Sequence, residues 1–207
     1  MQDIELEQAI EVLLGHTVPV AETERVPLLE AVGRVAAEDV YAAFDNPPFD
    51  RSPLDGYTFA SASTADASAE HPVRLSVIGE ECAGDFFAGA VGAGECVRIM
   101  TGGAIPKGCD CVVRQEDVRE EGDAIFVPFT SQPFENYCYA GEDIKKGNLL
   151  VRRGQRIHAA QIAVLASEGY AAVCVHRRVR IAVASTGDEL LQPGEPLRPG
   201  KIYNSNL

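Results

Sequence analysis

The stretch ECVRIMTGGAIPKGCDCVVRQED, residues 95–117, places two short apolar runs on either side of a glycine-rich turn. The runs Cys96–Met100 and Cys111–Arg114 are too short for helices and contain β-branched residues, which is typical of strands. Two further runs of this kind, Val73–Ile78 and Ala124–Phe129, lie on either side of the stretch. The sequence therefore predicts a small β-rich module of short strands in this region.

Helical patterns lie on both sides of the β-rich module. Apolar residues recur at helical spacing over 3–15 and over 159–168, which predicts two amphipathic helices. Residues 26–33 predict a third, shorter helix, because proline suits the first turn and glycine the end. Residues 34–40 are expected to be extended, and 171–175 to form a strand.

This order predicts an α+β, multi-domain chain. A discontinuous α-containing first domain would occupy 1–45 and 141–177, with the β-rich module inserted at 46–140. Residues 178–207 are predicted to begin a truncated α/β domain, because Val179–Ala184 has the composition of a fully buried parallel strand. A single parallel strand needs neighbours and crossover helices, so we expect the chain to be the N-terminal part of a longer protein.

Charge and hydropathy narrow the functional classes. The chain has 207 residues and a net charge of −13, which disfavours nucleic acid or an anionic membrane as a partner. From Lys145 onwards it has 10 basic and 4 acidic residues, against 8 and 27 before that point. Either the acidic part is a solvated face, or an anionic substrate binds toward the C-terminal side. No targeting or membrane-spanning pattern is visible, which predicts a cytoplasmic protein.

Cysteine and histidine spacing predicts no zinc site. The six cysteines include no C-x-x-C pair, and the four histidines are scattered. We therefore expect the cysteines to be buried, reduced thiols.

Acidic side chains recur in turn-like settings. Carboxylates that converge on loops suit Mg²⁺ or orient a polar ligand, although a single loop carboxylate is more often a turn former or cap. The residues alone leave open a magnesium-assisted enzyme and a non-catalytic assembly module. The candidates are Asp50 and Asp55, Glu116, Glu142 and Asp143, and Asp188 and Glu189.

The turn Thr101-Gly102-Gly103 follows a predicted strand. Consecutive backbone N–H groups in such a turn can cradle an anion. The turn lacks the pattern of a P-loop or a dinucleotide site, so a purely structural hairpin is the favoured interpretation.

Four motifs taken together are more specific than any one of them. They are FDRSPLDGY (49–57), AGDFFAGAVGAGECVRIMTGGAIPKGCDCVVRQED (83–117), AGEDIKKGNLLVRRGQRI (140–157) and VRIAVASTGDELLQPGEPLRPGKIYNSN (179–206). In this order and spacing they resemble the MoeA family of molybdopterin molybdotransferases, which includes the E-domain of gephyrin. The resemblance runs along the whole chain.

The resemblance implies a role in molybdenum cofactor biosynthesis. Family members insert molybdate into adenylylated molybdopterin with Mg²⁺ and release AMP. They are homodimers whose active site lies between the α/β domain of one subunit and the second domain of the other. The resemblance further implies contacts with molybdopterin adenylyltransferase and with molybdoenzyme clients. Because most of the pterin-binding domain would be missing, we expect no turnover by the isolated chain.

The resemblance also carries functional roles onto matching positions. It implies catalytic roles for Asp55 and Asp143, a ligand hydrogen bond for Thr101, and a place for Glu189 near Mg²⁺. Arg51 and Ser52 are hypotheses for substrate binding. Arg51 stands where the family has an amide, and residues 136–140, Asn-Tyr-Cys-Tyr-Ala, stand where it has arginines.

Two alternatives use the same fold without chemistry. One is a dimerisation or scaffold module, and the other is a regulatory protein that binds molybdate or a pterin. Molybdate-dependent turnover separates the enzyme from both.

Overall fold

The computed structural model describes residues 4–205, in which short strands outnumber helices. In chain order the elements are α1 (Leu6–Gly15), β1 (Thr23–Pro27), β2 (Val40–Tyr41), β3 (Gly56–Phe59), β4 (Val73–Glu81), β5 (Glu95–Ile99), β6 (Cys111–Arg114), β7 (Arg119–Glu121), β8 (Ala124–Val127), β9 (Leu149–Val151), α2 (Ala159–Ser167), β10 (Ala172–His176), β11 (Leu190–Leu191) and β12 (Ile202–Tyr203). The mixed α and β class predicted from the sequence is confirmed in this coarse form.

A six-stranded sheet forms the middle of the chain. Its strand order is β6-β3-β5-β4-β8-β7, and all neighbours are antiparallel except β4 and β5. The four predicted apolar runs are the strands β4, β5, β6 and β8. The core on this sheet consists of Tyr57, Phe59, Leu75, Cys96, Cys111, Val113, Ile125 and Val127.

The strand β3 was not predicted, although all four of its residues are buried. Tyr57 and Phe59 both pack in the core of the sheet. Between them, the Thr58 hydroxyl donates a hydrogen bond to the Cys111 carbonyl at 2.9 Å. Gly56 begins the strand because no side chain fits there: a Cβ atom would lie 1.8 Å from the Val113 carbonyl oxygen. Gly56 and Thr58 interrupt the apolar pattern by which a strand is predicted from sequence. The same two residues allow β3 to lie between β5 and β6.

A second core is formed by two segments that lie before and after the six-stranded sheet in the sequence. β1 pairs antiparallel with β10, and β2 pairs with β9, so residues before 42 meet residues after 148. The helix α2 confirms the pattern predicted over 159–168. This core consists of Val26, Leu28, Ala31, Ala36, Val40, Val151, Ile157, Ile162, Leu165, Val173 and Val175.

The short helix predicted over 26–33 is wrong in its first half. Val26 and Pro27 are the last residues of β1, paired with Val173 and Ala172. Only Leu28–Ala31 makes a single 3₁₀ turn. A β-branched residue with a strand partner favours the extended conformation over a helical start.

The segment Val179–Ala184 is not the buried parallel strand that its composition predicts. It has no strand assignment, and Val179, Ile181 and Val183 are 63–79% exposed. Beyond it, β11 and β12 form a two-residue parallel pair. An apolar run becomes a buried strand only when neighbouring strands cover it, and no strand within residues 4–205 pairs with this run.

The cysteines are only partly as predicted. Cys96 and Cys111 are buried free thiols, and burial raises the pKa of each to about 12. Cys82, in contrast, is exposed, and the remaining three are half-buried. Within residues 4–205 no helix is long and apolar enough to cross a membrane.

Candidate functional site

The candidate site is formed by the loop at Arg51 and Ser52, the turn at Thr101–Gly103 and the segment at Cys138, which are joined by backbone hydrogen bonds. Arg51 exchanges both of its backbone bonds with Cys138, at 2.9 and 3.1 Å. Ser52 accepts from the Gly102 N–H at 2.8 Å and donates to the Gly103 carbonyl at 2.9 Å. The two loops and the 138 segment thus surround one open pocket of about 300 Å³, lined by Arg51, Ser52, Pro53, Thr101, Gly102 and Cys138.

Asp55 and Thr101, predicted separately, are in direct contact at this site. The Thr101 hydroxyl and its backbone N–H both donate to Asp55 Oδ1, each at 2.7 Å. These two bonds, the hydroxyl first, lower the pKa of Asp55 below its usual 3.8, since they stabilise the charged form. Asp55 is therefore an ionised hydrogen-bond acceptor at neutral pH. The Thr101 hydroxyl gives its proton to Asp55, so toward a ligand it can act as an acceptor.

The glycine-rich turn is not an anion cradle. Its three backbone N–H groups already donate: Thr101 to Asp55, Gly102 to the Ser52 carbonyl and Gly103 to the Met100 carbonyl. Donors that are already paired are not available to an anion. The structural interpretation of the turn is the one that the geometry supports.

Arg51 and Asp143 meet on the exposed side of the pocket. Their closest charged atoms, Arg51 Nη2 and Asp143 Oδ2, are 3.8 Å apart, with side chains 40% and 66% exposed. An exposed pair of this kind adds little stability, so both groups remain available to a charged ligand. The Asp143 backbone N–H donates to the Asn46 carbonyl at 3.1 Å, which fixes its position beside the loop.

Ser52 has a structural position rather than an open one. Its side chain is buried, and its Oγ both donates to the Leu54 carbonyl and accepts from the Leu54 N–H. The hydroxyl that was predicted to bind substrate is therefore used to close the turn that leads to Asp55.

Glu189 does not line this pocket. It lies in the C-terminal segment, exposed, with its carboxylate folded against Gly187. Between residues 4 and 205 no group of three or more histidine, cysteine or acidic side chains could hold a metal ion. The described residues alone therefore do not build a magnesium site.

Two further residues support the site through contacts that the sequence does not show: Asp50, already a candidate loop carboxylate, and Glu81, which was not singled out. Asp50 accepts a hydrogen bond from the Tyr137 hydroxyl at 2.6 Å and another from the Ala140 N–H at 2.7 Å, which fastens the 137–140 segment to the loop. Glu81 is fully buried behind the turn, and its backbone carbonyl accepts from the Met100 N–H at 3.0 Å. Neither role is visible in the sequence, because each depends on a partner far along the chain.

Glu81 makes the stability of this region sensitive to pH. One carboxylate oxygen accepts the Phe87 N–H, the other has no hydrogen-bond partner among the described residues, and burial raises the pKa of the carboxyl above its usual 4.5. A raised pKa in the folded state means that protonation favours folding. The contribution is complete below pH 4.5 and is lost as the pH rises through the folded-state value.

We expect Glu81→Gln to remove this pH dependence. Urea unfolding across a pH series should show the native chain gaining stability relative to the variant as the pH falls toward 4.5. The neighbouring Glu80→Gln, at a half-exposed position, is the matched control and should show no such trend. Parallel stability curves for the native chain and Glu81→Gln would show that burial of Glu81 has no energetic consequence.

The comparisons with known proteins show the family of this chain. Residues 4–169 match the family model described as the MoeA N-terminal region (domain I and II). The match covers most of the chain and identifies it as similar to the N-terminal region of that family. The chain belongs to the MoeA family.

Named relatives and solved structures support the assignment. The chain is 37% identical over 203 residues to the molybdopterin molybdenumtransferase of Staphylococcus epidermidis, covering 98% of this chain and 48% of the relative. It is 42% identical over 189 residues to the protein of that name from Bacillus subtilis, covering 89% of this chain and 44% of the relative. A crystal structure of the molybdopterin biosynthesis MoeA protein from Pyrococcus horikoshii OT3 superposes with a TM-score of 0.86 at 38% identity, covering 97% of this chain and 53% of that one. The chain spans about half the length of the curated relatives that it matches.

Proposed function

We propose that this chain is the N-terminal part of a molybdopterin molybdotransferase that acts in molybdenum cofactor biosynthesis. The full-length parent protein would insert molybdate into adenylylated molybdopterin and release AMP. The observation that carries the proposal is the Asp55–Thr101 contact at the pocket, because it joins the L-D-G-Y and M-T-G motifs into one site. Family membership and the names of the relatives support the same reaction.

Each site residue has a role that its surroundings allow. Asp55, held ionised by Thr101, would orient the substrate or a bound water. Arg51 would attract the anionic substrate, and Asp143 beside it would position that cation. The buried Ser52 would act by holding the turn. Glu189 would contribute to Mg²⁺ binding only together with substrate phosphates or carboxylates from other segments, since magnesium commonly uses such mixed ligand sets.

The two cores support the proposed domain division. One core draws its residues from 26–40 and 151–175, and the other from 57–127. This supports a discontinuous first domain at 1–45 and 141–177, an inserted β-rich domain at 46–140, and the beginning of a further domain at 178–207. In this arrangement the chain supplies one wall of an active site that another domain completes.

The test is molybdate-dependent AMP release from adenylylated molybdopterin by the full-length parent protein with Mg²⁺. We expect release by the parent and none by the 207-residue chain alone. A folded parent that releases no AMP would favour the second candidate, a scaffold module of the same fold. The observation that favours that candidate is the exposed apolar face of α1.

The helix α1 is the candidate contact of a homodimer. None of its residues is buried, and Leu6, Leu13 and Leu14 are 68–69% exposed. Apolar side chains in such a stripe favour burial against a partner. A second copy of the chain is the partner that the family resemblance implies.

We expect Leu13→Asp to weaken dimerisation at least tenfold, because burial of one leucine contributes about 1.5–3 kcal/mol. Sedimentation equilibrium of the native chain and the variant measures the change. Glu11→Gln, on the same helix, is the control and should leave the dimer intact. An unchanged dimer in Leu13→Asp would place the contact elsewhere.

A further inference from the structure

Three aromatic rings form a compact, exposed cluster next to the candidate site. The ring centroids of Phe134, Tyr137 and Tyr139 lie 5.0–5.6 Å apart in pairs. Phe134 is 53% and Tyr139 is 48% exposed. We call this the aromatic cluster. Large aromatic surfaces left open to water at this density are typical of binding surfaces.

The aromatic cluster is held rigidly. The Tyr137 hydroxyl donates to Asp50 at 2.6 Å, and the Asn136 side-chain amide donates to the Val112 carbonyl at 2.9 Å. Phe134 and Asn136 have positive φ angles of 63° and 49°. A bulky residue with such a φ is strained, and strain of this kind persists mainly where function needs a fixed geometry. The rings are therefore preorganised, which lowers the cost of binding.

The aromatic cluster adjoins the pocket along the chain. Cys138 lies between the two tyrosines in the chain, lines the pocket, and is bonded through its backbone to Arg51. The backbone bonds between Arg51 and Cys138 therefore fix the segment that bears the two tyrosines beside the loop that bears Arg51.

The charged groups next to the rings indicate which part of a ligand the aromatic cluster can contact. The Glu142 carboxylate accepts the Tyr139 N–H at 3.0 Å, and both oxygens of Asp50 accept hydrogen bonds beside Tyr137. This acidic surrounding repels a phosphate. It suits an uncharged planar ring whose amino groups donate hydrogen bonds to carboxylates.

We infer that the aromatic cluster is a stacking site for a planar, amino-bearing nitrogen heterocycle, with Phe134 and Tyr139 providing the ring contacts. The inference rests on the proposed function, because adenylylated molybdopterin contains two such heterocycles, an adenine and a pterin. It adds two substrate-contacting residues, and it explains why aromatic side chains stand where the family has arginines.

The test is calorimetric titration of the 207-residue chain with AMP, with pterin and with ribose 5-phosphate. AMP and ribose 5-phosphate share the phosphate, so their difference isolates the contribution of the ring. We expect the heterocycles to bind at least tenfold more tightly than ribose 5-phosphate, in line with the strength of base–aromatic stacking. Comparison of AMP with pterin identifies which of the two rings uses the site.

Variants locate the binding on the aromatic cluster. Tyr139→Ala and Phe134→Ala should each weaken heterocycle binding about tenfold, whereas Tyr139→Phe, which keeps the ring, should bind as the native chain does. Tyr41→Ala, at an exposed tyrosine outside the cluster, is the control. Circular dichroism checks that each variant is folded.

Several outcomes would overturn the inference. These are equal binding of AMP and ribose 5-phosphate, no heterocycle binding at millimolar concentration, and unchanged affinity in folded Tyr139→Ala and Phe134→Ala. A loss of dimer in these variants without a loss of heterocycle affinity would instead make the aromatic cluster a protein contact. The proposed function is tested separately by AMP release from the parent, so ring binding without molybdate-dependent release would refute the function and leave the stacking site in place.

Discussion

Gly56→Ala is expected to unfold the six-stranded sheet. The new Cβ atom would lie 1.8 Å from the Val113 carbonyl oxygen and 2.9 Å from its carbon, both backbone atoms of the adjacent strand β6. A backbone carbonyl cannot move aside as a flexible side chain does, so β3 must leave its position between β5 and β6. We expect a loss of about 3 kcal/mol or more, the upper part of the usual range for overpacking, measured by urea unfolding followed by circular dichroism.

The matched control for this prediction is Gly15→Ala. A Cβ atom at Gly15 would meet nothing within 4 Å, and alanine is a better helix former than glycine. We therefore expect no loss of stability at that position. If Gly56→Ala unfolded at the same urea concentration as the native chain, the close packing of β3 against β6 would be wrong.

Asp55→Asn is expected to abolish catalysis in the full-length parent while leaving the fold intact. The amide oxygen of asparagine can still accept from the Thr101 hydroxyl and N–H, so the loop keeps its hydrogen bonds. The negative charge is lost, and a positioned carboxylate of this kind contributes about 10²–10⁴-fold to the rate. Molybdate-dependent AMP release measures the effect on kcat, and thermal unfolding measures the effect on the fold.

A second variant and a control separate chemistry from structure at this position. Asp55→Ala removes the acceptor as well as the charge, so it should lose activity and also unfold at a slightly lower temperature, because the Thr101 N–H and hydroxyl lose their shared acceptor. Asp123→Asn, at a highly exposed aspartate, should change neither. Full activity in Asp55→Asn would reduce Asp55 to a residue that only holds the turn.

The strands of the sheet were predictable where the apolar pattern is long or uninterrupted. Val73–Ile78 alternates apolar and polar residues over its first five positions, and Cys111-Val112-Val113 is an unbroken apolar run with β-branched residues; both patterns favour the extended form. β3 was missed because Gly56 and Thr58 interrupt its apolar pattern, and its burial comes from β5 and β6, which lie about 40–60 residues further along the chain. Such long-range pairing leaves little local signal.

At Val179–Ala184 the sequence predicts a strand that the structure does not contain. The composition of this segment predicts a buried strand, but burial depends on neighbouring strands that the described residues do not provide. An apolar, β-branched composition shows that a segment is able to form a buried strand, but the strand forms only where neighbouring elements cover it.

The candidate site was predictable in its residues but not in its contacts. The motifs single out Asp55 and Thr101, which are 46 positions apart, and nothing local indicates that one donates to the other. The same holds for Ser52, whose hydroxyl closes its own turn, and for Glu81, whose burial was not predicted. The aromatic cluster was visible only as a departure from the family pattern until the fold brought its rings together.

The central claim is that this chain supplies Asp55 to an active site that a domain of another subunit completes. The most direct measurement mixes the native 207-residue chain with the Asp55→Ala parent protein, each inactive alone, and follows molybdate-dependent AMP release from the mixed dimers. We predict that activity returns, because the chain contributes the intact carboxylate and the parent contributes the pterin-binding domain. Mixed dimers that form, as shown by sedimentation, but release no AMP would contradict the account.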